Sequence, residues 1–270
     1  MPGADLTPKA GHSSARLWEQ LSQTDNRVWL LYAFAQERLA SRLSRDRQLD
    51  LGRQAQACGQ QQAWRLQQQF ALTARQPERL AQQLGLTVQQ VSAPNPTGPS
   101  EPEPRPAGPG GFAGRKPAAP ESCGPVILAR FQPPRAIELM TGPLATYSQS
   151  YAPPLPAPDL IRQLLIAHEI FHFIEQQQAR SIFTQQKHLR LWSLGLWHQD
   201  CQLQVLGEIA AMAFAQTICD CSFNPFALDV LLTVRYNSTV SRRLLQQLRQ
   251  AYEQIRPSTS VEAQSWLETP

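Results

Sequence analysis

The sequence predicts an α+β fold in which helices surround a few short strands. Three observations support this prediction. Residues 12 to about 91 are rich in Gln, Arg, Leu and Ala and carry large apolar residues, which indicates three or four helices. Strand-like segments flank a proline-rich stretch at 93–124. A segment with apolar residues at helical spacing then follows at 159–175, and an almost wholly apolar, helical stretch follows at 203–218.

The N-terminal region, residues 1–76, is predicted to be helical. Its large apolar side chains are the expected buried anchors of the helices. These anchors are Trp18, Trp29, Leu30, Leu31, Phe34, Trp64 and Phe70.

The segment at 93–124 holds nine of the chain's 23 prolines and too few apolar residues to build a core, so we expect it to be disordered. Because strand-like residues flank it at 86–92 and 125–132, we interpret it as a long insertion in a sheet loop. A linker between two domains is the alternative. A terminal helix is predicted over 241–255, followed by a flexible tail at 257–270.

The pentapeptide His168-Glu-Ile-Phe-His172 lies within a segment, 159–175, that has helical periodicity and no glycine or proline. Residues four apart share one face of a helix, so both imidazoles point toward the same place. Two imidazoles on one helix face are typical of a zinc site. Glu169, next to the first histidine, is placed to accept a proton from a metal-bound water.

Glu208 is the expected third ligand. It interrupts the apolar stretch 203–218, and a buried, unpaired carboxylate is costly unless a cation or hydrogen-bond donors compensate it. It follows His172 by 36 residues, which is enough chain to return on a second helix packed against the first. The sequence therefore predicts a zinc ion held by His168, His172 and Glu208.

The series HEIFH followed by EIAAMAFA resembles the His-Glu-x-x-His and Glu-x-x-Ala-x-x-Phe-Ala signatures of the ImmA/IrrE-type metallopeptidases, which are minimal gluzincins. Three further segments are similar to the helix, strand and strand pair of that family, so the resemblance spans most of residues 77–232. These segments are Pro77–Val88, Val126–Phe131 and Ala136–Met140.

This resemblance implies a minimal zincin-like domain at 77–256, with a small mixed sheet packed on the HExxH helix and on the helix of the glutamate ligand. It also implies that Glu169 is the general base and acid of a zinc-dependent endopeptidase. Members of this family are implicated in cutting helix-turn-helix repressors in the cytoplasm. We therefore expect a cytoplasmic protein or peptide substrate, with a transcriptional repressor as the leading candidate.

The chain departs from the gluzincin pattern at two places. Many gluzincins carry an Asp four residues after the glutamate ligand, which orients a histidine, whereas this chain has Met212 there. Another group must then orient the imidazoles. Family members often continue with a leucine-rich stretch that ends in Met-Pro, but residues 217–225 read TICDCSFNP.

Other functions compete with the peptidase. Residues 78–92 also resemble a helix-turn-helix with Gly85 at the turn, although Pro94 and Pro96 would end its recognition helix and Arg79 is its only cation. A strand at 87–92 favours the peptidase, and a helix there favours DNA binding. A di-iron protein would need a second Glu-x-x-His, which the chain does not have. A zincin fold that binds metal or a protein partner without catalysis is a further alternative.

The remainder of the catalytic machinery is less defined by the sequence. A second donor to the oxyanion is needed, and five residues are candidates: His198, Tyr147, Tyr151, Arg235 and Tyr236. The strand that aligns an extended peptide is expected within 136–140 or 144–150.

Composition agrees with an intracellular globular protein. A net charge of +4 is too small to indicate nucleic-acid binding. The N-terminus lacks the apolar core of a signal peptide, and no apolar run reaches membrane-spanning length. Five cysteines without a framework spacing are typical of free thiols in a reducing compartment. We expect a cytoplasmic location, and nothing in the sequence indicates an oligomeric state.

Overall fold

The computed structural model describes residues 10–71, 75–91, 128–194, 197–236 and 238–255. The expected insertion at 93–124 and the expected tail at 257–270 lie outside the described residues. The helices are α1 Ala10–Ser22, α2 Asn26–Phe34, α3 Arg45–Phe70, α4 Pro77–Gln83, α5 Thr141–Gln149, α6 Pro158–Gln177, α7 Phe183–Gln186, α8 Val205–Cys219, α9 Phe226–Tyr236 and α10 Ser238–Ile255, with one 3₁₀ turn at Ala40–Arg42. The strands are β1 Thr87–Val91, β2 Ala129–Gln132, β3 Ala136–Met140, β4 His188–Leu194 and β5 Trp197–Gln202.

The α+β prediction is confirmed, with a small mixed sheet in the order β1-β3-β2. Strand β3 pairs with β1 in parallel and with β2 in antiparallel register. Alternation along β3 buries Ile137 and Leu139. Phe131 of β2 meets Phe173 of α6 with ring centroids 5.8 Å apart. The sheet is thereby packed on the helix that carries the HEIFH motif.

Helix α8 packs against both α6 and α3 through small residues. At Gly59 of α3, a Cβ atom would lie 2.0 Å from the backbone oxygen of Ala210 in α8. Only glycine permits two helix backbones to approach this closely. The contact fixes the position of α8, which carries Glu208, relative to the N-terminal helices.

The N-terminal helices share one apolar core with the helices that follow Pro77. Seven consecutive residues of α2, Val28–Phe34, are buried. Trp29 and Tyr32 meet edge to face, and Tyr32 also meets Phe226 of α9. A single cluster of buried apolar side chains extends from Trp18 to Ala251. Six of the seven predicted anchors are buried or partly buried, but Trp64 is 55% exposed, so its prediction was wrong.

Several local expectations can be compared directly with the structure. Residues 87–91 form a strand, as the peptidase interpretation requires, and not the recognition helix of the DNA-binding alternative. The strand that aligns a peptide was expected within 136–140 or 144–150. Residues 144–149 belong to helix α5, and 136–140 form β3, the central strand of its sheet, so neither segment can be the edge that pairs with a peptide.

The β4–β5 hairpin was not predicted. Among the helices described, none is both long and apolar enough to cross a membrane.

Candidate metal centre

Helix α6 places the two motif histidines one turn apart on one face. Pro158 occupies its first turn, where a missing backbone N–H costs nothing, and Asp159 adds a favourable negative charge near the N-terminus. The Nε2 atoms of His168 and His172 lie 3.0 Å apart. Both imidazoles therefore present a nitrogen to the same point, as the i, i+4 spacing predicts.

Helix α8 adds Glu208 to this point. One carboxylate oxygen lies 3.3 Å from Nε2 of His168, and the other lies 3.7 Å from Nε2 of His172. Tetrahedral zinc bonds of about 2.0–2.1 Å separate neighbouring nitrogen and oxygen ligands by about 3.3 Å. The distance between the two nitrogens is 0.3 Å shorter than that value, and the two distances to Glu208, which involve different carboxylate oxygens, equal or exceed it. His168, His172 and Glu208 thus form a group whose ligand atoms all lie within 4.8 Å of one another and that could hold a metal ion.

The start of α8 is held by a side chain from the N-terminal region. The Glu37 carboxylate accepts hydrogen bonds from the backbone N–H of Val205, at 3.4 Å, and of Leu39, at 3.2 Å. Gln204, at the N-cap of α8, makes no side-chain capping bond. Glu37 therefore satisfies a donor at the N-terminus of α8, one turn before Glu208.

Glu208 is not buried in the way that the sequence suggested. Its side chain is 52% exposed, because the first turn of α8 opens into a cleft. The prediction that Glu208 is buried was therefore wrong. The prediction that Glu208 lies beside His168 and His172 agrees with the structure.

Charges within the cluster stabilise one another. Desolvation lowers the pKa of His168, but the hydrogen bond and charge of Glu208 outweigh it and raise that pKa to about 9. Desolvation raises the pKa of Glu208, whereas the hydrogen bond to His168 lowers it to about 2. The carboxylate is therefore ionised at neutral pH and favours a cation beside it.

Two acidic residues near the cluster were missed by the sequence analysis. Glu175, one turn after His172 on α6, lies 3.3 Å from its Nδ1. Burial raises the pKa of Glu175, but hydrogen bonds from His172 and Thr184 lower it below the ordinary value. Asp229 of α9 lines the same cleft, and burial, together with the charge of Glu208, raises its pKa to about 7. The i, i+3 spacing could have revealed Glu175, whereas Asp229 is brought in only by tertiary packing.

A cleft of about 910 Å³ lies in front of the cluster, and His168, Glu169 and Glu208 all line it. Glu169 is only 6% exposed. Leu128 and Ala129, at the start of β2, line the same cleft. Of the described strands of this sheet, β2 lies at one edge and pairs only with β3.

Three of the five candidate oxyanion donors lie away from the cleft. Tyr147 is buried and donates its hydroxyl hydrogen to the backbone oxygen of Pro156 at 2.7 Å. Tyr151 packs on Tyr147, and His198 lies 3.6 Å from Asp200 on the hairpin. None of these three residues is among those that line the cleft. The side chains of Arg235 and Tyr236 lie outside the described part of the structure.

Comparison of the chain with protein-family models, with curated proteins and with solved structures gave no match. The resemblance to the ImmA/IrrE-type metallopeptidases therefore depends on the sequence motifs. The geometry of the cluster is an independent observation about this chain.

Proposed function

We propose that this protein is a zinc-dependent endopeptidase with a zincin-like fold. The observation that carries the proposal is the convergence of His168, His172 and Glu208, with Glu169 facing the same cleft. The donor set of two imidazoles and one carboxylate is the set found in hydrolytic zinc sites of the thermolysin type. Three protein ligands leave a fourth position for water or substrate.

Bound zinc would supply a Lewis acid and a water molecule of lowered pKa. His168, His172 and Glu208 would hold the ion. Glu169 accepts a proton from the attacking water at its carboxylate and later donates that proton to the nitrogen of the leaving amine. One water is consumed, one C–N bond is broken, and Glu169 returns to its starting state.

In this proposal the substrate is an extended peptide that lies along the edge of β2 that pairs with no other described strand. In the antiparallel pair with β3, one side of the β2 backbone makes the ladder bonds, so the other side can pair with a peptide. Leu128 and Ala129 line the same cleft as Glu169, which supports this assignment. This assignment replaces the two segments, 136–140 and 144–150, that the sequence suggested.

The resemblance to the ImmA/IrrE family adds a substrate class to the proposal. A cytoplasmic protein, with a transcriptional repressor as the leading candidate, would present the extended segment. Specificity would then come mainly from contacts outside the cleft, since main-chain pairing along one strand gives affinity but little selectivity.

The test combines metal analysis with proteomics. The purified protein is expected to bind one equivalent of zinc. Cell lysate treated with the wild-type protein is then compared by mass spectrometry with lysate treated with Glu169→Gln, which keeps the metal ligands. New termini in one or two proteins, present only with the wild type, support the proposal.

Two other outcomes would contradict parts of the proposal. Broad degradation of the lysate by the wild type alone would keep the zinc-dependent endopeptidase but overturn the dedicated protein substrate. One equivalent of zinc with identical termini in both samples favours the non-catalytic alternative, a protein that binds metal or a partner through the same fold.

A further inference from the structure

We propose that Glu175 is a positioning residue for the metal centre: it fixes the tautomer and orientation of His172, within a pocket made by Thr184 and Gly207. This inference rests on the proposed zinc site and extends it to residues outside the ligand set.

The first support is the hydrogen bond between Glu175 and His172. A carboxylate oxygen of Glu175 lies 3.3 Å from Nδ1 of His172. An ionised carboxylate can only accept, so Nδ1 must carry the hydrogen. The lone pair of the neutral ring is then on Nε2, the atom that faces His168 and Glu208. The bond therefore selects the tautomer that can bind the ion.

The second support is that Glu175 is itself held in place. It is only 8% exposed, and its other oxygen accepts a hydrogen bond of 2.5 Å from the Thr184 hydroxyl. Thr184 is fully buried at the start of α7. A buried carboxylate with two donors on two sides has little freedom to turn. Its position is set before any ion binds.

The third support is the space reserved for this carboxylate on α8. At Gly207, which precedes the ligand Glu208, a Cβ atom would lie 2.9 Å from one oxygen of Glu175 and 3.2 Å from the other. A side chain at this position would crowd both carboxylate oxygens, the nearer of which bonds Thr184 and the other His172. The φ angle of Gly207 is not in the left-handed region, so backbone conformation does not require glycine there. The space needed by the Glu175 carboxylate explains it instead.

The experiment measures zinc affinity by chelator competition on the full chain, with Glu175→Ala, Glu175→Gln and Gly207→Ala. Loss of a hydrogen-bond partner of a metal-bound histidine lowers metal affinity by about 10–100-fold. We expect that loss for Glu175→Ala and a smaller loss for Glu175→Gln, which keeps an acceptor for Nδ1 but not the charge. Glu253→Gln, on the exposed surface of α10, is the matched control and should bind zinc as the wild type does.

A double variant separates positioning from general damage. In the Glu175→Ala background, a methyl group at residue 207 has no carboxylate to displace. Gly207→Ala should therefore weaken zinc binding on its own but add nothing to Glu175→Ala. Additive losses would overturn the proposal, because they would show that residue 207 acts through Glu208.

Nitrogen NMR of the imidazole rings, recorded without zinc, tests the tautomer directly. His172 is expected to carry its hydrogen on Nδ1 in the wild type and to become a mixture of tautomers in Glu175→Ala. A mixture already present in the wild type would overturn the proposal. If the wild type shows the Nδ1–H form but binds no zinc, the proposed function fails while the role of Glu175 in orienting His172 stands.

Discussion

Helices α6 and α8 are buried along most of their length, whereas the β4–β5 hairpin, which lies between them in the chain, exposes Trp192 and Trp197. The helices touch the sheet, α3 and one another. The hairpin pairs mainly with itself. The two helices that carry the predicted ligands are therefore held by shared packing. The hairpin that connects them in the chain is held mainly by its own strand pairing.

The largest effects are expected at the cluster itself. His168→Ala, His172→Ala and Glu208→Ala each remove one of three protein ligands and should lose zinc. Glu169→Gln should keep one equivalent of zinc and lose hydrolysis, because Glu169 is not part of the ligand cluster. Metal content by atomic spectroscopy checks all four variants. Equal zinc content in all of them would contradict the ligand assignment.

The next effect concerns the contact between α3 and α8. In an ordinary helix, Gly→Ala stabilises by about 1 kcal/mol. At Gly59 the new methyl would lie 2.0 Å from the backbone oxygen of Ala210, and overpacking of this kind costs about 1–3 kcal/mol or more. We expect Gly59→Ala to lower the free energy of unfolding and to weaken zinc binding, since α8 carries Glu208. Denaturant titration gives the first quantity and chelator competition the second.

Gly142→Ala is the matched control for Gly59→Ala. Gly142 is also helical, in α5, but a Cβ atom there meets nothing within 4 Å. This variant should be neutral or more stable by up to about 1 kcal/mol. Equal changes in the two variants would show that the close approach of α3 and α8 does not constrain the fold.

The same contrast between helices and hairpin explains what the sequence could reveal. Helix α6 was predicted from apolar residues at a period of 3.6, and α8 was predicted from a long stretch that is apolar on nearly all sides. The hairpin was missed because a register shift between Arg190 and Trp192 breaks the alternation of β4, and because most of β5 is polar and exposed. A strand without a buried face leaves little pattern to detect.

The candidate site was likewise predictable only in part. His168 and His172 lie four residues apart on one helix, so the sequence alone predicts that their imidazoles share one face. Glu208 was predicted as a ligand because its neighbours in the sequence are apolar. It does lie beside the histidines, but its side chain is half-exposed in the cleft and not buried. Asp229 reaches the cleft from a separate helix, and no local period encodes that approach. The edge position of β2 depends on strand order, which is also a tertiary property.

A pH dependence is expected for zinc binding. The carboxylate of Glu208 raises the pKa of His168 to about 9, so at neutral pH a proton occupies the imidazole that must bind the ion. Zinc must displace this proton, and its affinity should rise about tenfold per pH unit below pH 9 and level off above it. Glu208 remains ionised over this range and adds no further dependence.

Chelator competition between pH 6.5 and 9.5, corrected for the protonation of the chelator, measures this slope. An affinity that does not change between pH 7 and 8 would show that His168 is already neutral. In that case the ion pair between His168 and Glu208 contributes little to the structure without zinc.

The smallest effect is expected at the hairpin. The side chain of Trp197 is 77% exposed, and the truncation of an exposed residue usually changes the free energy of unfolding by less than about 0.5 kcal/mol. Trp29, which is fully buried in α2, is the contrasting control, because the truncation of a buried tryptophan costs about 3–5 kcal/mol. We expect Trp197→Ala to retain the unfolding midpoint and the zinc content of the wild type, whereas Trp29→Ala should lose much of its stability. A large loss of stability in Trp197→Ala would show that the hairpin is part of the fold that positions Glu208. A change confined to cleavage of the protein substrate would instead identify Trp197 as one of its contacts.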